Sequence, residues 1–233
     1  MKVLQRYFGL APLVGAVRSM GFTLIELLIV IAIIGTLAAL IFPAIGRGTS
    51  LAKRTKCLQN LRQIQVATIA YAGENNGQFP TAERAYGFPH EFENFSNSLG
   101  KYLDVTRDKI MFCPGELMKS RNPLTPLYQT NYTTYQYFNF NNTFLGTFSS
   151  NKPDLSRAVT APVNVALWGC LTFITSDNKA YGHSDAGIVR PLSGMNAVYP
   201  DGHAAWVAGT NLEKYYTSDS GNGFYWPKPA TNR

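Results

Sequence analysis

Glu26 is the acid in this chain whose position most needs a chemical reason. It precedes an apolar run, Leu27 to Ile45, and an acid at mid-bilayer costs about 2.5–3.5 kcal/mol on insertion scales, so a cationic partner is expected. Cleavage after Gly21 would supply one. The new α-amino group of Phe22 would lie one helical turn from Glu26, and a neighbouring subunit would offer the same amine. A second set of reactive types lies far along the chain, where His183, Asp185, Asp201 and His203 are joined by Asp177 and Asn178. Hard oxygen donors of this kind suit Ca2+, although the spacing matches no standard calcium loop. The alternative for Asp201 is a turn residue whose carboxylate bonds local amides. There is no H-E-x-x-H, nucleophile elbow, phosphate-binding loop or dinucleotide fingerprint, so no catalytic residues are assigned and an enzyme is not expected.

The elements that must carry these groups follow from spacing. Cys57, Leu61, Ile64, Thr68 and Tyr71 recur at intervals of four and three, which makes one face of a helix. Glu74-Asn75-Asn76-Gly77 supplies a C-terminal stop, with Pro80 shortly beyond. A helix from Phe22 to near Ala72 would be about 75 Å long. Its first half is apolar all round and its second amphipathic, so lipid or other subunits should cover the first and its own domain the second. Pro43, with Gly46 and Gly48, marks a kink or local unwinding. Gly35 and Ala39 form a small-xxx-small pair suited to close helix contact, or else face lipid.

From Thr81 onward short segments alternate with Gly, Pro and Asn, as in antiparallel strands joined by long loops. Tyr132 to Phe140 reads as an aromatic strand, and Ala161 to Leu167 as a buried strand continuing towards Phe173. Met195 to Tyr199 and Ala204 to Val207 flank Pro200-Asp201-Gly202, a hairpin turn. Among 233 residues, 45% are hydrophobic, only 15% charged and 13% aromatic, enough for one membrane helix and one modest domain. The net charge is +7, of which Lys2, Arg6 and Arg18 in the leader hold three. The remaining +4 is scattered and argues no nucleic-acid binding.

Gly21-Phe22-Thr23-Leu24-Ile25-Glu26 and the run to Gly35 resemble the class III signal of type IV prepilins and type II secretion pseudopilins. The resemblance implies an α+β, pilin-like fold in which a long N-terminal helix packs on a C-terminal antiparallel β domain. It divides the chain into a leader (1–21), an assembly half (22–46) and an amphipathic half (47–76) of the helix, and a β domain (77–233). Gly21 would precede the scissile bond, Phe22 would become N-methylated, Glu26 matches the assembly glutamate, and Pro43 falls at the family's common proline. The implied partners are a prepilin peptidase, other pilin or pseudopilin subunits and the bacterial inner membrane. The N-terminus would be cytoplasmic and the C-terminal domain periplasmic or extracellular. A secretion-type filament subunit is the leading expectation, with a minor pilin or an anchored protein that binds glycan, DNA or a secreted protein as the alternative.

Cys113-Pro114, Tyr132 to Asn139, His183, the Asn196 to His203 run and Cys57 to Ile64 also resemble the large pilin-like proteins of Planctomycetes and Verrucomicrobia. The interval from His183 to Asp201 is longer than that group's common pattern. In an exported domain three cysteines permit one disulfide and leave a thiol over. Cys57 with Cys113 is the favoured pair, leaving Cys170 buried beside Trp168, and Cys113 with Cys170 competes. In a reducing compartment all three would serve as small apolar residues.

Overall fold

The computed structural model describes residues 22–81, 95–103, 110–115, 133–139, 146–148, 154–183, 186–188 and 191–229. Gly21 and the leader therefore lie outside the described residues, as does Asp185. The chain falls into two units, Met1–Ile45 and Gly46–Arg233. Helix α1 (Leu24–Glu74) supplies residues to both. Pro43, Gly46 and Gly48 all lie within α1.

Within the first unit, α1 is apolar and uncovered. Leu24–Phe42 is long and apolar enough to cross a membrane, and none of it is buried. Nineteen residues at 1.5 Å each give about 28 Å, close to the hydrocarbon thickness of a bilayer.

The second unit begins with the amphipathic part of α1. Cys57, Leu61, Ile64, Ala67, Thr68 and Ala72 are buried, as the three-and-four spacing predicts, and Tyr71 is half-buried. The predicted stop is present: Gly77 N–H donates to the Ala72 carbonyl at 2.8 Å, and Asn76 and Gly77 have φ of 54° and 74°. That bond and those dihedrals are the αL ending that Asn and Gly tolerate. The emerging strand is held at once, because Phe79 N–H donates to Ser156 O and Ala158 N–H to Gly77 O.

After a short helix α2 (Phe95–Leu99), the described strands are β1 (Tyr135–Tyr137), β2 (Gly146–Phe148), β3 (Trp168–Cys170), β4 (Phe173–Ile174), β5 (Ala180–Tyr181), β6 (Ala186–Ile188), β7 (Gly194–Val198), β8 (Ala204–Ala208), β9 (Leu212–Ser218) and β10 (Gly223–Pro227). They form two antiparallel sheets, β1-β3-β7-β8 and β2-β9-β10-β4-β5-β6. The fold is α+β and consistent with a pilin-like architecture. Ala161 to Leu167 is not a strand. Val165 N–H turns back to Pro162 O at 3.2 Å, and β3 starts only at Trp168. Proline at 162 removes a donor, and the segment turns instead of pairing.

Strands β1, β3 and β7 are buried on both faces. Alternation then decides what each residue meets. On one face Trp168 Nε1 donates to Thr68 Oγ1 of α1 at 3.1 Å, and Asn196 Nδ2 donates to Arg54 O at 2.9 Å. On the other, Gln136 Nε2 donates to Cys170 O and Tyr225 O at 2.9 and 3.1 Å, while its Oε1 accepts from the Tyr215 hydroxyl at 2.9 Å. One buried glutamine thus ties the two sheets with all its bonds made. The β7–β8 hairpin turns as expected at Tyr199-Pro200-Asp201-Gly202, with Gly202 N–H donating to Tyr199 O at 2.9 Å and Gly202 at φ 88°.

The Thr68–Trp168 bond can be tested directly. Thr68→Val keeps the shape and removes the acceptor of a fully buried indole, so unfolding free energy should fall by about 1–3 kcal/mol, and Thr68→Ser should retain most of it. Chemical denaturation of the purified protein measures both.

Candidate functional site

At the start of α1, Thr23 and Glu26 bond each other reciprocally. Glu26 Oε2 accepts from Thr23 N–H and from Thr23 Oγ1, each at 2.8 Å, and Glu26 N–H donates to Thr23 Oγ1 at 3.3 Å. Thr23 O accepts the first helical bond, from Leu27 N–H at 3.2 Å. This is a capping box, in which a threonine N-cap and a glutamate three residues on satisfy amides that the helix start leaves unpaired. The Thr-x-x-Glu spacing before an apolar run carries that signal in the sequence, beside the reading of Glu26 as an amine partner. Around the cap the surface is apolar and open, with Phe22 78% and Leu24 88% exposed. A Cβ at Gly35 would meet nothing within 4 Å, so its own chain does not require glycine there. Pro43 lies inside α1.

The second concentration of chemistry is buried in the globular unit. The ligand atoms of Cys57, Cys113, Cys170 and His183 all lie within 4.8 Å of one another. Cys57 Sγ is 2.9 Å from Cys170 Sγ, and Cys113 Sγ is 3.0 Å from His183 Nδ1. All three cysteines are free thiols, so neither the expected Cys57–Cys113 bridge nor its Cys113–Cys170 competitor is formed. Cys170 is buried in the same short strand as Trp168, where the sequence reading puts it.

Each donor has its own support. Cys57 is carried on the buried face of α1. Cys113 is fixed by its N–H, which donates to the Thr134 hydroxyl. Cys170 ends β3 and pairs with Tyr135 across the sheet. His183 follows β5, its ring set edge-on to Trp206 with centroids 5.8 Å apart. Gly115 closes the cradle: a Cβ there would stand 2.4 Å from His183 O and 3.0 Å from His183 Nδ1.

Burial pushes thiols up, and it holds Cys113 and Cys170 well above the ordinary thiol value. For Cys57 burial acts the same way, but bonds from Cys113, Cys170 and His183 outweigh it and bring it well below. The Tyr135 hydroxyl, buried without a hydrogen-bond partner of good geometry, lies within electrostatic reach of all three sulfurs.

The four residues expected to share a calcium ion are distributed otherwise. His183 joins the thiols, and Asp185 is outside the described residues. Asp201 and His203 bond each other on the exposed hairpin: Asp201 Oδ1 accepts from His203 N–H at 3.0 Å and contacts His203 Nδ1 at 2.6 Å. Burial is the largest single influence and opposes the Asp201 charge, but the backbone and ring bonds from His203 together outweigh it and hold its carboxyl below the usual value. His203 also stacks on Tyr199 with centroids 4.0 Å apart. This is the local turn chemistry that the alternative reading of Asp201 describes. The thiol-imidazole convergence has a fainter signal in the sequence, an unpaired third cysteine and a lone histidine remote from each other, which only the sheet topology brings together.

Comparison with known proteins bears on the N-terminal segment. The family model described as the prokaryotic N-terminal methylation motif matches residues 21–42. Two curated relatives are named Type II secretion system core protein G. That of Pectobacterium carotovorum subsp. carotovorum is 34% identical over 67 residues, which is 29% of this chain and 42% of the relative. That of Klebsiella pneumoniae is 36% identical over 67 residues, 29% of this chain and 47% of the relative. The chain thus spans less than half the length of these relatives. No solved structure matches significantly. The methylation motif thus heads a capped, exposed apolar helix in a chain that also has antiparallel β-sheets, and over 67 residues the chain is similar to two type II secretion core proteins, which supports a relationship to the type IV pilin and pseudopilin family.

Proposed function

We propose that the chain is a structural subunit of an envelope filament of the type II secretion kind, cut after Gly21 by a prepilin peptidase and N-methylated on Phe22. The carrying observation is the helical segment from Leu24 to Phe42, long and apolar enough to cross a membrane and with no buried residue among those described. In the membrane that surface faces lipid; in a filament it faces the same helix of other subunits. Before assembly the subunit is a single-pass inner-membrane protein with its N-terminus cytoplasmic and its β domain on the far side. The reading is structural, not enzymatic.

Glu26 sets the register. Both Thr23 donors converge on Oε2, which leaves Oε1 for the amine of a neighbouring Phe22. Within hydrocarbon a carboxylate satisfied only by neutral donors remains costly, so pairing with that amine favours the assembled state. Gly35, with open space where a side chain would stand, lets a neighbouring helix come close. Pro43 lies near the end of the same segment.

Mass spectrometry of the mature protein should find a start at N-methylated Phe22. A start at Met1 would leave only an anchored protein. Glu26→Ala should be processed normally and stay in the membrane, absent from sheared filaments, while Thr23→Ala should lose about 1 kcal/mol of helix capping and still assemble. Filaments of normal abundance from Glu26→Ala would sink the pairing with the amine.

A further inference from the structure

Cys57, Cys113, Cys170 and His183 come from four separate places in the globular unit: the helix α1, the Cys113-Pro114-Gly115 loop, the end of β3 and the turn after β5. We propose that these four residues bind one zinc ion in a closed tetrahedral site, through three thiolates and His183 Nδ1.

The geometry fits that ion. Zinc bonds of about 2.3 Å to sulfur and about 2.0–2.1 Å to nitrogen place tetrahedral donors about 3.6–3.8 Å from one another. The four atoms here lie within 4.8 Å, with the closest pairs at 2.9 and 3.0 Å. Each separation therefore changes by about an ångström at most when the ion enters. The donor chemistry selects the metal. Thiolate and imidazole suit zinc, whereas calcium and magnesium require oxygen, and no carboxylate among the described residues belongs to the group.

Simpler accounts leave parts unexplained. A disulfide uses two sulfurs and leaves a third thiol and an imidazole buried against it. Three cysteines acting as small apolar residues do not explain why His183, only 4% exposed, turns a ring nitrogen to within 3.0 Å of a sulfur. The Tyr135 hydroxyl, buried with no hydrogen-bond partner in the structure, can turn to donate to a metal-bound thiolate. A dication removes the difficulty of burying such charge. On binding, the thiol protons leave to water, and an imidazole bound through Nδ1 carries its proton on Nε2.

Every donor is buried, and the four fill a tetrahedral shell, so no position is left for water or substrate. The ion is a structural one, linking the helix, a loop and strands of both sheets. It belongs to the globular unit whichever filament uses the subunit, so its test is separate from that of assembly.

Full-length protein purified in detergent under anaerobic conditions should contain one zinc per chain by elemental analysis. Its three thiols should resist alkylation until a chelator is added. Cobalt in place of zinc should give the visible bands of a tetrahedral thiolate complex. Cys170→Ser and His183→Ala should lose the zinc. Because either could fail to fold, His183→Cys, which restores a fourth donor, and Asp201→Ala, at the distant turn, should both keep it. Metal-free protein with thiols that alkylate freely, a disulfide between any two of the three cysteines, or iron in place of zinc would overturn the assignment.

Discussion

Apolar surface that the chain cannot cover by itself sets the terms for this molecule. Leu24 to Phe42 offers about five turns of helix with no buried residue, far more contiguous apolar area than a soluble monomer exposes. Burial of such surface is the dominant favourable term in folding and in most association, and under the proposed function lipid or other subunits supply it. The capping box at Thr23 and Glu26 follows from the same constraint. In the proposed membrane setting water would not satisfy the first amides of the helix, and side chains of the segment itself do so.

The globular unit meets the opposite difficulty. Its helix face and sheets are well buried, yet several strands are only two or three residues long, too short for ladder bonds alone to hold register. Specific buried polar groups do that instead. Thr68 accepts the Trp168 indole, Asn196 reaches the Arg54 carbonyl, Gln65 reaches the Tyr199 carbonyl, and Gln136 spans both sheets. In a low-dielectric interior each of these bonds is costly to leave unmade, so alternative registers are disfavoured more strongly than apolar packing would disfavour them.

What could be read from the sequence was local. The methylation motif, the helix face from Cys57 to Thr68, the Asn76-Gly77 stop and the Pro200-Asp201-Gly202 hairpin each depend on residues within a turn or two of one another. Local spacing also misled: Ala161 to Leu167 is apolar enough for a strand, but Pro162 and the turn bond from Val165 direct it elsewhere. Glu26 drew attention as a charge in an apolar run, and its nearer partner Thr23 was equally readable from spacing. The four-residue centre was not legible in this way. Cys57 and Cys170 are 113 residues apart and Cys113 and His183 are 70 apart, and no periodicity encodes a meeting that depends on how two sheets and a helix close around them.

That distance in sequence bears on why a metal would be useful here. Linking remote segments restricts the unfolded chain most when the loops closed are long, and the gain grows only slowly with length, so one centre joining four segments does more than several joining neighbours. A disulfide would join two of the segments. A tetrahedral ion joins all four, and by binding only the assembled arrangement it adds its binding free energy to folding. The aromatic strands supply packing on either side of this centre, but it is the meeting of α1, the Cys113 loop, β3 and the turn after β5 that relates helix, loop and both sheets to one another. A domain with such short strands has few other places where a single interaction could do this.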